Sequence, residues 1–168
     1  MQKISQKYIN NLVLKALRED LKPNGDVTTK LLNSKNKIVQ AKIISKQNGI
    51  ISGIDFCKAA FKLLERKSKF SQRIKDGKKI KRNQVIAEIT AKTKTILIAE
   101  RTALNFLNHA SGISTVTNQY VSKVKNKTKI CCTRKTTPNL RFLEKYYVKK
   151  GCVYNHRYNL SDEIIIKE

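Results

Sequence analysis

At 168 residues the chain has room for one domain, or for one small domain and part of another, and its 40% hydrophobic content is ordinary for a globular protein. Thirty-six Lys and Arg against 12 Asp and Glu leave a net charge of +24, a field that draws polyanions and makes nucleic acid the first partner to weigh. No stretch is apolar enough to span a bilayer, and after Met1-Gln2-Lys3 the pattern is amphipathic, unlike a secretory leader, so no membrane role is expected. The lysines are spread over nearly every segment, and Asn and Ile are abundant too, as a coding bias produces. This disfavours a nucleic-acid interface as the main function, while small, highly charged anionic substrates profit from the same field. Cys57, Cys131, Cys132 and Cys152 show no C-x-x-C pair and no framework spacing, which speaks against metal or disulfide use and for a reducing cytoplasm.

In chain order, Ile4, Tyr8, Ile9, Leu12, Val13, Ala16 and Leu17 form one stripe of a helix running from Ile4 to Glu19. Pro23-Asn24-Gly25-Asp26 ends that unit, and Asp26 can cap a short helical turn after it. Ile38 to Ser45 alternates as a strand with Val39, Ala41 and Ile43 on one face, and Asn48-Gly49 reads as a hairpin turn into Ile50-Ile51-Ser52. Phe56, Ala59, Ala60, Leu63 and Leu64 give a one-faced helix from about Asp55 to Lys67. An extended piece near Phe70 to Ile74, an Asp76-Gly77 turn and a strand from Val85 to Ile89 complete a small α+β layer over residues 1–95. Residues 96–168 then open with a long helical stretch, Ile96 to Lys125, interrupted at Ser111-Gly112. Strand Ile130 to Cys132, helix Pro138 to Lys149 and strand Ile164 to Ile166 follow as one right-handed β-α-β unit.

Within that unit an apolar strand runs into Thr133-Arg134-Lys135-Thr136-Thr137, and a second basic turn, Asn155-His156-Arg157, follows the helix. Turns at the carboxyl ends of α/β strands are where ligands lie, which makes Arg134 and Lys135 candidate ligand contacts. The motifs T-R-K-T-T-P-x-L-R-x-x-E-K and N-H-R-x-x-L-S-D-x-x-x-I-K resemble the signature of quinolinate phosphoribosyltransferase, the carboxylating nicotinate-nucleotide pyrophosphorylase. Upstream, A-E-R-T-A-L-N-F-L-N-H-A-S-G-I-S-T (Ala99 to Thr115) is similar to the same family's next most characteristic segment.

The resemblance implies an α+β N-terminal open sandwich followed by the start of an α/β barrel, incomplete, with about two barrel strands present. On this reading the chain is truncated, because two parallel strands cannot close a barrel. It also implies transfer of phosphoribose from phosphoribosyl pyrophosphate to quinolinate with loss of CO₂, in a homodimer, with Mg²⁺ accompanying the phosphoribosyl donor and its ligands outside this chain. Two adjacent carboxylates call for planar, permanently charged forks, which arginine supplies and lysine does not. By matching position, Arg134, Arg157 and Arg101 are the quinolinate-binding arginines, Arg101 reaching into a partner's site. Lys135 and Lys167 add point charges, and His156 is the substrate-contacting histidine. No side chain is needed as a covalent nucleophile, so Cys131 and Cys132 have no catalytic part. Outside the resemblance, His109 reads as a packing or capping histidine, Thr133 and Thr136 as caps of the following helix or as hydroxyls beside a phosphate site, and Glu144-Lys145 as a helix pair.

The chain departs from the family pattern at Gly151-Cys152-Val153, where relatives carry three glycines, and at Asn139, which replaces a glycine. Glycine permits positive φ, and Asn tolerates it better than most residues. Glu168 stands in place of Asp, and the acidic residues that the family uses on ribose and metal belong to later positions than residue 168. A catalytically inactive fragment and a basic nucleic-acid-binding module are the competing readings.

Overall fold

The structure, a computed structural model, describes residues 4–31, 36–125 and 127–166. Helix α1 (Gln6–Leu21) is capped by the Ser5 hydroxyl, which accepts from the Tyr8 amide, and buries Ile9, Val13 and Leu17, spaced four apart on one face. In the short α2 (Val27–Leu31) the Asp26 carboxylate accepts from the Thr29 amide at 3.0 Å, the cap that the sequence predicts.

Strands β1 (Ile38–Ile44), β3 (Lys69–Gln72) and β5 (Val85–Lys92) form an antiparallel sheet in the order β1-β5-β3. In β1 the half-buried residues alternate with exposed ones, Val39, Ala41 and Ile43 facing inward as the pattern predicts. Central β5 buries Ile86, Ala87, Ile89 and Ala91. The expected hairpin at Asn48-Gly49 does not form, because β1 pairs with β5 while the short β2 (Gly49–Ile50) pairs with β4 (Lys79–Ile80). The chain leaves the first sheet there instead of folding back along it. The Asn48 side chain accepts from the Arg82 amide at 2.9 Å, so the turn residue is spent on β4's neighbour.

Helix α3 (Ile54–Leu64) packs chiefly against α4 and α1, burying Ile54, Phe56, Ala59, Ala60 and Phe61, and ends at Glu65, short of the expected Lys67. The Glu65 carboxylate accepts from the Lys92 amide at 3.0 Å, and this links the helix end to the end of β5. Cys57 lies in the same core, where burial pushes its thiol up to about 12, leaving it an inert packing group.

Helix α4 (Thr93–Val124) follows β5 without a linker and runs unbroken for 32 residues, so the interruption expected at Ser111-Gly112 is absent. The Ser111 hydroxyl bonds outward, accepting from the Ser52 amide at 3.1 Å and donating to the Ser52 carbonyl at 3.2 Å, and does not compete for the helix's own carbonyls. The buried stripe of α4 is made of small residues, Thr95, Ala99, Thr102, Ala103, Ala110 and Ser114, with Leu107 among them. Two segments come close enough to that stripe to require glycine. A Cβ on Gly53 (φ +88°) would sit 2.8 Å from the Ala110 Cβ, and one on Gly151 would sit 2.5 Å from the Ser114 carbonyl oxygen.

Helix α5 (Arg141–Lys150) begins three residues later than the sequence suggests, after a turn over residues 138–140 in which Asn139 takes φ 66°. It lies against α4 through Leu143 and Tyr147, and the Ser114 hydroxyl donates to the Tyr147 carbonyl at 2.7 Å. A parallel bridge joins Cys131 to Tyr154, with the Cys132 amide on the Tyr154 carbonyl at 3.0 Å and the Tyr154 amide on the Ile130 carbonyl at 3.1 Å. The strand that returns beside Ile130–Cys132 is therefore the segment around Tyr154. The expected partner, Ile164 to Ile166, makes no ladder among the described residues, and Ile164 and Ile166 stand almost fully in solvent. The position beside Cys131 is taken by Tyr154, four residues after the end of α5. No described helix is long and apolar enough to cross a membrane.

Substitutions at three positions test this architecture. Asp76, between β3 and β4, accepts from the Gly53 and Ile54 amides at 2.9 and 3.1 Å and so caps α3 from a distance. Asp76→Ala is expected to lower stability by about 1–3 kcal/mol in urea titrations, with Asp76→Asn falling between it and the parent. Burial raises the Asp76 pKa above its ordinary 3.8 despite those amides. Its acid form is thus favoured by folding; the contribution is complete below pH 3.8 and is lost as pH rises through the folded-state value. Asp76→Asn should flatten that part of the stability curve. At the other end, Cys152 holds φ 74° without being glycine. Cys152→Gly is expected to add about 1 kcal/mol, and Gly151→Ala to lower the melting temperature.

Candidate functional site

The site grows from the parallel bridge. Cys132 and Asn155 leave it side by side, the thiol donating to the Asn155 side-chain oxygen at 3.4 Å. Arg134 lies two residues beyond Cys132, and Arg157 two residues beyond Asn155. Both arginines therefore spring from the carboxyl ends of neighbouring parallel segments, where α/β folds hold ligands.

The first arm is a bent loop fastened from behind. The Thr133 hydroxyl accepts from the Lys135 amide at 3.1 Å, and the Thr136 amide donates to the Arg134 carbonyl at 3.0 Å. The Arg141 Nε donates to the Thr136 hydroxyl at 3.3 Å, and its Nη1 donates to the Tyr158 carbonyl at 3.1 Å, so one guanidinium spans both arms. The Glu144 carboxylate accepts from the Thr137 amide at 3.2 Å and lies 3.9 Å from the His109 Nε2 on α4. Thr133 and Thr136 thus shape the loop and do not cap α5, whose N-terminal residue Leu140 carries no side-chain cap. His109 packs edge-on against Tyr147 at 6.3 Å, the packing role the sequence suggests.

In the second arm, the His156 Nδ1 accepts from the Arg157 amide at 2.7 Å and lies 3.2 Å from the Glu163 carboxylate. One nitrogen cannot do both at once: the neutral ring accepts the amide, and a proton on Nδ1 would be given to Glu163. The Arg157 Nη1 donates to the Glu163 carbonyl at 3.1 Å.

The Nε atoms of Arg134 and Arg157 are both buried with no acceptor among the described residues. Buried guanidinium nitrogens without partners are costly, and two of them at one end of a parallel pair mark a place prepared for an anion. Lys135 is exposed beside them. Arg101 is exposed on α4, eight residues (roughly 12 Å along the axis) from His109, and no hydrogen bond or ion pair among the described residues joins it to the two arms. Lys167 lies outside the described residues.

Sequence reasoning missed Lys145. Far from being a surface partner of Glu144, it is 1% exposed, with Nζ donating to the Cys132 sulfur at 3.1 Å and the His156 carbonyl at 2.7 Å. It also lies 4.9 Å from the centre of the Tyr158 ring. Arg141 and Lys145, four apart, share the helix face turned toward the arms, but that spacing alone carries no sign of burial. Among the described residues no group of three or more His, Cys, Asp or Glu gathers as a metal site would require.

Comparison with known proteins identifies the family to which the chain belongs. The model of the quinolinate phosphoribosyl transferase N-terminal domain matches residues 26–111, and that of the C-terminal domain matches residues 113–168. The chain is 39% identical over 166 residues to a probable nicotinate-nucleotide pyrophosphorylase [carboxylating] of Bacillus subtilis, covering 95% of this chain and 57% of that protein. It is 36% identical over 162 residues to the nicotinate-nucleotide pyrophosphorylase [carboxylating] of Mycobacterium leprae, covering 93% of this chain and 56% of that one. The solved nicotinate-nucleotide pyrophosphorylase of Francisella tularensis superposes with a TM-score of 0.89 at 35% identity, over 95% of this chain and 57% of that one. The chain therefore spans somewhat more than half the length of the relatives it matches. With both domain models matched in order and the fold shared, this chain belongs to the quinolinate phosphoribosyl transferase family.

Proposed function

We propose that this chain carries the dicarboxylate-binding part of a quinolinate phosphoribosyltransferase, which joins quinolinate to phosphoribosyl pyrophosphate and releases pyrophosphate, CO₂ and nicotinate mononucleotide in NAD biosynthesis. The observation that carries the reading is the pair of buried Arg134 and Arg157 Nε atoms with no protein acceptor, at one end of a parallel bridge. A vicinal dicarboxylate offers each fork its own planar acceptor. Lys135 and His156 flank the ring in this reading, and Lys167 adds a charge to the phosphoribosyl side. Arg101, exposed and remote from the two arms, is assigned to the site of a second copy in a homodimer. The enzyme is placed in the cytoplasm.

The rate enhancement is electrostatic. Cations fixed away from water stabilise negative charge as pyrophosphate departs and again as CO₂ leaves the ring, while holding the ring nitrogen against the sugar carbon supplies the orientation. Mg²⁺ belongs to the phosphoribosyl donor in this proposal. The described residues gather no ligand set for it. The arginine pair alone is expected to bind quinolinate weakly.

Titration calorimetry tests the reading. A charge-assisted hydrogen bond contributes about 1.5–3 kcal/mol, so the Arg134→Ala, Arg157→Ala double variant is expected to bind quinolinate on the order of a hundredfold more weakly. Equal heats from parent and variant would remove the proposed dicarboxylate site. RNA affinity falling steeply with salt, with no response to quinolinate, would transfer the +24 charge to a nucleic-acid role.

A further inference from the structure

We infer that Lys145 is a positioning residue that sets the spacing of the two arginine arms and thereby the choice of a vicinal over a wider dicarboxylate; this rests on the dicarboxylate reading above. Its amine is almost wholly withdrawn from water, at 1% exposure. Burying a lysine there is costly unless acceptors surround it, and the acceptors it finds are not local to the helix. One is the Cys132 sulfur at 3.1 Å, two residues before Arg134, and the other is the His156 carbonyl at 2.7 Å, the residue before Arg157. The Tyr158 ring, centred 4.9 Å away, closes a third side.

A single nitrogen thus holds the root of each arginine at hydrogen-bond distance, on a stem fixed by α5, whose Leu143 and Tyr147 are locked in the core. The parallel bridge sets how the two segments run, but its hydrogen bonds end at Tyr154 and Cys132, before either arginine. Lys145 acts beyond that point. Arg141 also spans the arms, through Thr136 and Tyr158, but on the far side of each arginine from the bridge. The forks are therefore bracketed, and Lys145 is the inner bracket. Carboxylates on adjacent ring atoms require the forks close together, while carboxylates separated by one more ring atom require them further apart. Positional error of a fraction of an ångström is enough to weaken a fork-to-carboxylate pair.

The test measures a ratio. Quinolinate (pyridine-2,3-dicarboxylate) and pyridine-2,4-dicarboxylate are titrated into the full chain and into Lys145→Met, which keeps the volume and loses the donors. Lys145→Arg, which keeps donors, and Cys132→Ala, which removes one acceptor, are titrated likewise, with melting curves recorded for each. The parent is expected to prefer quinolinate, Lys145→Met to lose the preference by on the order of tenfold, and Lys145→Arg to recover part of it. General weakening of the fold lowers both affinities together and leaves their ratio unchanged, and that outcome overturns the inference. If Lys145→Met does not fold, Cys132→Ala decides: an unchanged ratio there overturns the inference as well. Should the parent bind quinolinate and the arginine double variant lose it while the Lys145 and Cys132 variants keep the ratio, this inference fails and the functional reading stands. Should the parent bind neither acid, both fall.

Discussion

The fold depends on how closely other segments can approach α4. Its inward stripe carries alanine, serine and threonine where a leucine-rich helix would hold its neighbours at a distance, and the two nearest segments answer with glycine, at Gly53 and Gly151. At Gly53 the left-handed turn that starts α3 is pressed onto Ala110. At Gly151 the end of α5 is pressed onto Ser114 and Thr117. One helix thereby serves as the common wall of the antiparallel sheet and of the α5 unit, and its continuity through Ser111-Gly112 keeps the two in fixed relation. The serine and threonine hydroxyls of that wall are not idle: Ser111 and Ser114 bond across to Ser52 and Tyr147, so small size is combined with directional contacts.

What α4 does for the core, α5 does for the site. One face, through Leu143 and Tyr147, belongs to the core; the adjacent face presents Arg141, Glu144 and Lys145 to the two loops. Basic loops on a strongly cationic chain would otherwise repel each other. Here the repulsion is met by backbone carbonyls, by the Glu144 and Glu163 carboxylates and by an aromatic ring, so the loops are held by groups that accept from cations. The two guanidinium nitrogens left without an acceptor are the exception that gives the site its proposed purpose.

Most of the secondary structure was legible because hydrophobic spacing is a local property: α1, α3, β1 and β5 stand close to where their apolar periods place them. Pairing was less legible, since an Asn-Gly pair marks a turn without saying which strand follows as neighbour, and the Asn48 side chain turned out to serve Arg82. Ile164 to Ile166 has strand composition, but the edge beside Cys131 was taken by Tyr154, a competition no single segment reveals. Arg134 and Arg157 stand in long, specific motifs, and the structure sets them at the ends of neighbouring segments. Lys145 could not be picked out, since a lysine beside a glutamate on a helix looks the same in sequence whether it faces solvent or the inside of a loop pair. Cys152 is the reverse case: the loss of glycine from the family pattern pointed to a left-handed position, and that residue holds φ 74°.

The bare isoleucines after the second arm bear on how the protein behaves in the test tube. Ile164 and Ile166 place two branched hydrocarbon chains in solvent on a segment without a ladder among the described residues. Such a segment is adhesive, since any strand with a free edge can zip onto it and shed ordered water from both surfaces. Mutual repulsion at +24 keeps copies apart in dilute buffer. Concentrated salt removes that restraint while strengthening apolar contact, so the same molecule passes from well dispersed to clumping as ionic strength climbs.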